Sequence, residues 1–225
     1  MKTKIAIGIG VIVVAVVVWV LGMPLWRERT FEHDRTEGGE LAKKRRFEEA
    51  EKRLLDAVKG AEALGAADPR LYDARSELAE LYAAQGKYPE SQALYLRSLE
   101  TQAEGGAPKK ADMARSLFKL GETYRAQENL AAAEGHFNMA IAAWQESATP
   151  DHPELASVLV AKAELLRDQG RFKEAEPLLG QALAIREKTN DPQLARTAEV
   201  YAVVLRQLGQ TDRAQAMEAR AAGKQ

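Results

Sequence analysis

The heptapeptide Gln169-Gly170-Arg171-Phe172-Lys173-Glu174-Ala175 decides the reading of this chain, because copies of it stand at near-constant intervals. They are Gln85-Gly86-Lys87-Tyr88-Pro89-Glu90-Ser91, Gln127-Glu128-Asn129-Leu130-Ala131-Ala132-Ala133 and, more weakly, Leu208-Gly209-Gln210-Thr211-Asp212-Arg213-Ala214. The anchors Tyr88, Leu130, Phe172 and Thr211 are 42, 42 and 39 residues apart, and Phe47-Glu48-Glu49-Ala50 stands 41 before Tyr88. A fixed period of this size is the signature of a repeat architecture.

Working outward from the turn, apolar and small residues recur at three- and four-residue steps on both sides. Leu71, Ala74, Leu78, Leu81 and Tyr82 precede one copy, and Tyr88, Ala93, Leu94, Leu96 and Leu99 follow it. Each period therefore predicts two helices joined by a tight turn. A helix that ends in a left-handed residue favours glycine there, with Asn129 as the substitute where glycine is missing. Asp68-Pro69, Asp151-His152-Pro153 and Asp191-Pro192 each predict a capping carboxylate just before a proline in the first helical turn. Helix pairs at a fixed period bury their apolar faces only against their neighbours, so the prediction is an all-α solenoid.

These residues resemble the tetratricopeptide (TPR) repeat family, in its longer 42-residue, kinesin-light-chain-like variety. The small helix-A position reads Ala79, Gly121, Ala163 and Ala202, followed three residues later by Tyr82, Tyr124, Leu166 and Leu205. After the turn, the small helix-B position reads Ser91, Ala133, Ala175 and Ala214, the large one Tyr95, Phe137, Leu179 and Glu218, and the next small one Ser98, Ala140, Ala182 and Ala221. The resemblance implies a solenoid of about four repeats over residues 67–225. Residues 27–66 are expected to hold a juxtamembrane helix and a degenerate first repeat. Its helix B runs from about Leu41 to Leu64, while its helix A falls in Arg27 to Glu40, interrupted by Gly38 and Gly39.

In such arrays helix A lines the concave face, and the resemblance places a protein or peptide partner there. The implied groove residues are Arg115, Phe118, Glu122 and Arg125, then Val160, Glu164 and Arg167, then Arg196 and Arg206, with Glu199 and Val203 between the last two. Arg125, Arg167 and Arg206 recur once per repeat, a ladder suited to carboxylates and backbone carbonyls. Glu122 and Glu164 each lie three residues before an arginine, so ordinary helix-surface pairing is the competing reading. Phe118 and Val160 offer either an apolar floor or inter-repeat packing.

The N-terminus has a different character. Ile5 to Leu21 is uncharged and contains four Ile, seven Val and one Leu. Extended to Trp26, it is about 33 Å long as a helix, enough to cross a bilayer. Residues 1–26 are accordingly expected to be a transmembrane signal anchor, with Ala6, Gly8 and Gly10 as a small-residue helix-packing face. A cleaved signal peptide is the competing reading, although Pro24, Leu25 and Trp26 carry the apolar run past the plausible cut. The expected location is a single-pass protein of a bacterial inner membrane with the repeats in the periplasm. Membrane-complex subunits are then further candidate partners, and an accessory-subunit role is the alternative to a recruiting scaffold. Lys43-Lys44-Arg45-Arg46 is read either as an anionic-lipid patch or, with Glu48, Glu49, Glu51 and Asp56 following, as a solvated helix face.

Composition bounds the rest. The 32 Lys+Arg against 33 Asp+Glu give a net charge of -1, which argues against nucleic acid as a partner. With Cys 0 there is no thiol chemistry, disulfide or cysteine metal site. His33, His136 and His152 do not cluster, and no phosphate loop or nucleophile elbow is present. The expectation is no enzyme, no catalytic residue, no cofactor and no bound metal.

Overall fold

The computed structural model describes residues 30–65, 68–104, 110–147 and 151–223, and every regular element among them is a helix. The helices are α1 (30–43), α2 (Phe47–Glu62), α3 (Pro69–Ala84), α4 (Tyr88–Glu104), α5 (Lys110–Ala126), α6 (Leu130–Gln145), α7 (Pro153–Asp168), α8 (Phe172–Thr189), α9 (Leu194–Gln207) and α10 (Thr211–Ala221). They fall into two compact units, one ending at Lys87 and one starting at Tyr88.

The repeated heptapeptide makes one repeated turn. Arg45, Gly86, Glu128, Gly170 and Gly209 all have positive φ, between 58° and 74°. The next N–H then reaches back to the carbonyl five residues earlier: Arg46 to Leu41, Lys87 to Tyr82, Asn129 to Tyr124, Arg171 to Leu166 and Gln210 to Leu205, at 2.8–3.0 Å. That bond satisfies a helix-terminal carbonyl and reverses the chain. Glycine serves the turn at Gly170 without a Cβ penalty. In the second copy Glu128, not Asn129, takes the left-handed conformation (φ 61°). Asn129 instead caps α6, its Oδ1 accepting from the Ala132 N–H at 3.2 Å.

Two further helix starts differ from expectation. Asp68 caps α3 as predicted, accepting from the Arg70 N–H at 3.0 Å. At α7 the cap is His152, whose Nδ1 accepts from the Glu154 N–H at 3.2 Å, while Asp151 bonds Lys188. Asp191 accepts from the Gln193 N–H at 2.8 Å, so Pro192 lies in the turn before α9 rather than in its first turn. Pro177 sits inside α8.

In the first unit α1 and α2 form a pair, and Leu41 belongs to α1 rather than to helix B. Gly38 is not a break but the small packing residue of α1: a Cβ there would lie 2.7 Å from Leu54 Cγ. Arg53 ties α2 to Asp34 at 3.1 Å and Arg35 ties α1 to Glu77 of α3 at 2.6 Å. The basic stretch forms the turn between α1 and α2, with Lys43 bonded to Glu40 and Arg46 to Glu49.

In the second unit α5 packs on α6, α7 on α8 and α9 on α10, and each pair packs on the next. The core is continuous, built from Phe137, Trp144, Leu159, Leu166, Leu179 and Leu205, with Ala133, Ala140, Ala163, Ala175 and Ala214 at the small positions. Alternating large and small side chains let successive helices interdigitate at close range.

The membrane expectation is corrected. Among the described residues no helix is long and apolar enough to cross a membrane. The physical reason is plain in the longest, α8, which carries Lys173, Glu174, Glu176, Arg186, Glu187 and Lys188 within its 18 residues. The expected single-pass membrane protein with periplasmic repeats is therefore not supported by the described residues. The Ile5–Trp26 segment, with Ala6, Gly8 and Gly10, lies outside the described residues.

Candidate functional site

The helix-A face of the second unit is built by α5, α7 and α9, which neighbour one another directly across the helix pairs. Its charged side chains are engaged both between repeats and within them. Arg115 donates to Asp112 on its own helix and to Glu154 of α7, both at 2.7 Å, while its guanidinium lies 5.6 Å from the Trp144 ring centroid. Arg125 donates to Glu164 of α7 at 3.4 Å, and Arg196 of α9 stands 3.9 Å from the same carboxylate. Glu164 thus joins α5, α7 and α9 at one point.

The other predicted residues are placed individually. Arg167 bonds its neighbour Asp168 at 2.7 Å, and Arg206 makes a two-pronged pair with Glu218 of α10 at 2.7 and 2.8 Å. That pair holds the Glu218 carboxyl below its ordinary pKa and raises Arg206. Arg125, Arg167 and Arg206 therefore each face a different carboxylate, and Glu122 accepts from Lys119 at 3.2 Å rather than from Arg125. Phe118 is half-buried with its ring 5.9 Å from Phe137, and Val160 is buried in the core.

Among the side chains presented to solvent is a stripe on α9. Arg196 is 73% exposed at its side chain, Val203 is 46% exposed and Arg206 52% at its side chain, with Glu199 exposed between them. Spacings of three, four and three residues place all four on one helical face. The stripe carries a guanidinium at each end, each beside a carboxylate of this chain, with Glu199 and Val203 between them. Among the described residues no group of three or more His, Asp, Glu or Cys side chains is placed to hold a metal ion.

The first unit has a smaller cleft of about 500 Å³ lined by Arg35, Lys43, Phe47, Leu54, Glu77 and Glu80, among others. Burial raises the Glu77 carboxyl above its ordinary pKa, against the opposing pull of Arg35.

Sequence reasoning did not anticipate Arg186. It is 2% exposed, and its guanidinium donates to the Gln193 carbonyl at 3.0 Å, Gln193 Oε1 at 2.9 Å, Ser157 Oγ at 3.2 Å and Thr197 Oγ1. Burial lowers its pKa, opposed by Asp191 3.6 Å from Nε. The clue in the sequence was positional: Arg186 occupies the place that Trp144 holds one repeat earlier, 42 residues before. Both positions are fully enclosed, Trp144 stacking on His152 at 4.7 Å.

The family profile described as Tetratricopeptide repeat matches residues 70–146, 112–188 and 154–222, overlapping spans that together cover more than half of the chain. Among solved structures, BtubC (BKLC) from P. vanneervenii is similar at a TM-score of 0.73 and 24% identity, over 89% of this chain and 88% of that one. A Podosopora anserina protein described as a kinesin light chain with nearly identical TPR-like repeats matches at 0.68 and 21%, over 86% and 93%. Pseudomonas aeruginosa pilF matches at 0.66 and 16%, over 88% and 78%. At these identities the likeness is one of fold. No match was found among curated proteins.

Proposed function

Because the chain belongs to the tetratricopeptide repeat family, we propose that it is a protein-interaction scaffold whose partner docks on the helix-A face of the second unit, centred on α9. TPR folds typically bind protein partners, and kinesin-light-chain-like neighbours are typical of non-enzymatic scaffolds. The observation that carries the finer reading is the exposed stripe Arg196–Glu199–Val203–Arg206, which contributes to no neighbouring core. The partner is a peptide segment with an apolar side chain for Val203 and carboxylates for Arg196 and Arg206.

Glu164 supports this role from beneath. Its carboxylate stands 3.4 Å from Arg125 and 3.9 Å from Arg196, which biases where the Arg196 guanidinium stands before a partner arrives. Preorganisation of this kind reduces the ordering cost of association.

The test is affinity capture from an extract of the native source with the full chain, compared with an Arg196→Glu/Val203→Asp variant. Both side chains are exposed and the Arg196–Glu164 contact is a loose surface pair, so the variant should stay folded and lose less than about 1 kcal/mol. Loss of one or more captured proteins while the variant stays folded supports the reading. An identical captured set overturns it.

A further inference from the structure

A charged tie recurs along the chain. Four places after the anchors Phe47, Leu130 and Phe172 stand Glu51, Glu134 and Glu176, each on the second helix of a pair. Each reaches the turn of the pair that follows, 36 or 37 residues on. Glu51 accepts from Lys87 at 3.1 Å, and Glu134 from Arg171 at 2.7 and 3.1 Å. In the last copy Gln210 stands where Lys87 and Arg171 stand in theirs, and Arg213, three residues on, bonds both Gln210 and Glu176.

The tie between α4 and the α5–α6 turn departs from this pattern. The period puts Gln92 and Asn129 in its two places, so the acid and the base are lost together. Helix α6 carries no Lys or Arg that could act as Arg213 does. Gln92 Nε2 is buried and has no hydrogen-bond partner among the described residues, and Asn129 Oδ1 is spent on capping α6. A buried amide left unpaired carries its desolvation cost without return. Other features weaken the same joint. Glu128 takes the left-handed conformation of that turn without being glycine. Leu96, one turn beyond Gln92, and Leu130, next to Asn129, are both exposed. Among the described residues α4 contributes only Leu99 to the continuous core of the second unit, and Leu99 is partly buried.

We infer that α4 is hinged on the α5–α6 pair at the Gln92–Asn129 joint, separating from that pair while α5 to α10 stay together. Separation hydrates the Gln92 amide and breaks no ion pair at that tie, whereas opening at the later joints breaks Glu134–Arg171 or Glu176–Arg213. A repeat array, held by its nearest-neighbour interfaces, opens first at the weakest of them. The block that stays together carries the α9 stripe, and the hinge does not depend on what binds there.

Hydrogen exchange of the full chain, resolved by mass spectrometry to peptides within α4, α6 and α8, tests the hinge under native conditions. Peptides of α4 are expected to be about tenfold less protected than those of α6 and α8. Gln92→Met removes the unpaired amide at similar side-chain length and should raise α4 protection about fivefold. Gln92→Glu should raise it severalfold in an Asn129→Arg background, where the tie is complete, and not in the parent. Comparison within that background cancels the loss of the Asn129 cap. The proposal is overturned by α4 protection equal to that of α6 and α8, by a Gln92→Met variant whose α4 is no better protected or gains no more than α6 and α8, or by a Gln92→Glu effect that is the same in both backgrounds.

Discussion

Gly121 and Phe137 form a pair whose exchange by the pair of the next repeat tests the packing logic directly. A Cβ on Gly121 would stand 2.5 Å from two carbons of the Phe137 ring and 3.3 Å from the Ala133 carbonyl oxygen. The ring is fully buried and cannot swing into solvent. Gly121→Ala therefore overpacks the core at a cost of about 3 kcal/mol, offset by about 1 kcal/mol of helix propensity, a net loss of about 2 kcal/mol. Phe137→Leu alone removes buried ring surface and costs about 1 kcal/mol. Together the two recreate Ala163 opposite Leu179, which fit one repeat later with both residues buried. The double variant keeps the propensity gain and loses the clash, so it should lie within about 0.5 kcal/mol of the parent, a coupling of about 3 kcal/mol. Urea denaturation of the four proteins measures it. If the double variant loses the sum of the single losses, the close approach of α5 and α6 is not what requires glycine at 121.

Glu128→Gly and Arg45→Gly, at the two copies of the repeated turn whose left-handed residue is not glycine, should each raise stability by about 1 kcal/mol, measured as a shift in denaturation midpoint; Gly170→Ala should lower it by a similar amount. Burial lowers the His136 pKa, with its ring stacked 5.1 Å from Tyr124. The unfolded chain therefore binds this proton first as pH falls below about 6.5, and stability held above that pH declines until the depressed folded-state pKa is passed. His136→Phe, which keeps the stack, should flatten the denaturation midpoint between pH 7 and pH 5 relative to the parent. Arg186→Ala strips Ser157, Gln193, Thr197 and Asp191 of a shared buried donor and should cost about 3 kcal/mol, read from the same denaturation curves.

The helix pairs were legible because their determinants are local. A left-handed residue, a bond to the carbonyl five residues back and a small residue facing a large one all fall within one period, and they recur. Where two residues competed for one local role, the pattern did not choose: Glu128 and Asn129 stood side by side, and the side-chain cap took Asn129. Asp151 likewise gave up the α7 cap to His152 and paired with Lys188, 37 residues away. Gly38 and Gly39 read as breakers because helix propensity is summed along one helix, whereas Gly38 answers to Leu54 on another. The ion pairs of the candidate site were the least legible part. Glu164 has Arg167 three residues on, but Arg125 and Arg196 approach it from adjacent helices, and sequence spacing carries no measure of that approach.

The central claim is that a protein partner occupies the α9 stripe. A photo-crosslinking amino acid placed at Val203, and in a second protein at Met139, which is 55% exposed on α6, tests it in the native source. The account predicts a discrete crosslinked protein from position 203 and none from position 139. Crosslinking equal at the two positions, or found only at 139, would contradict it.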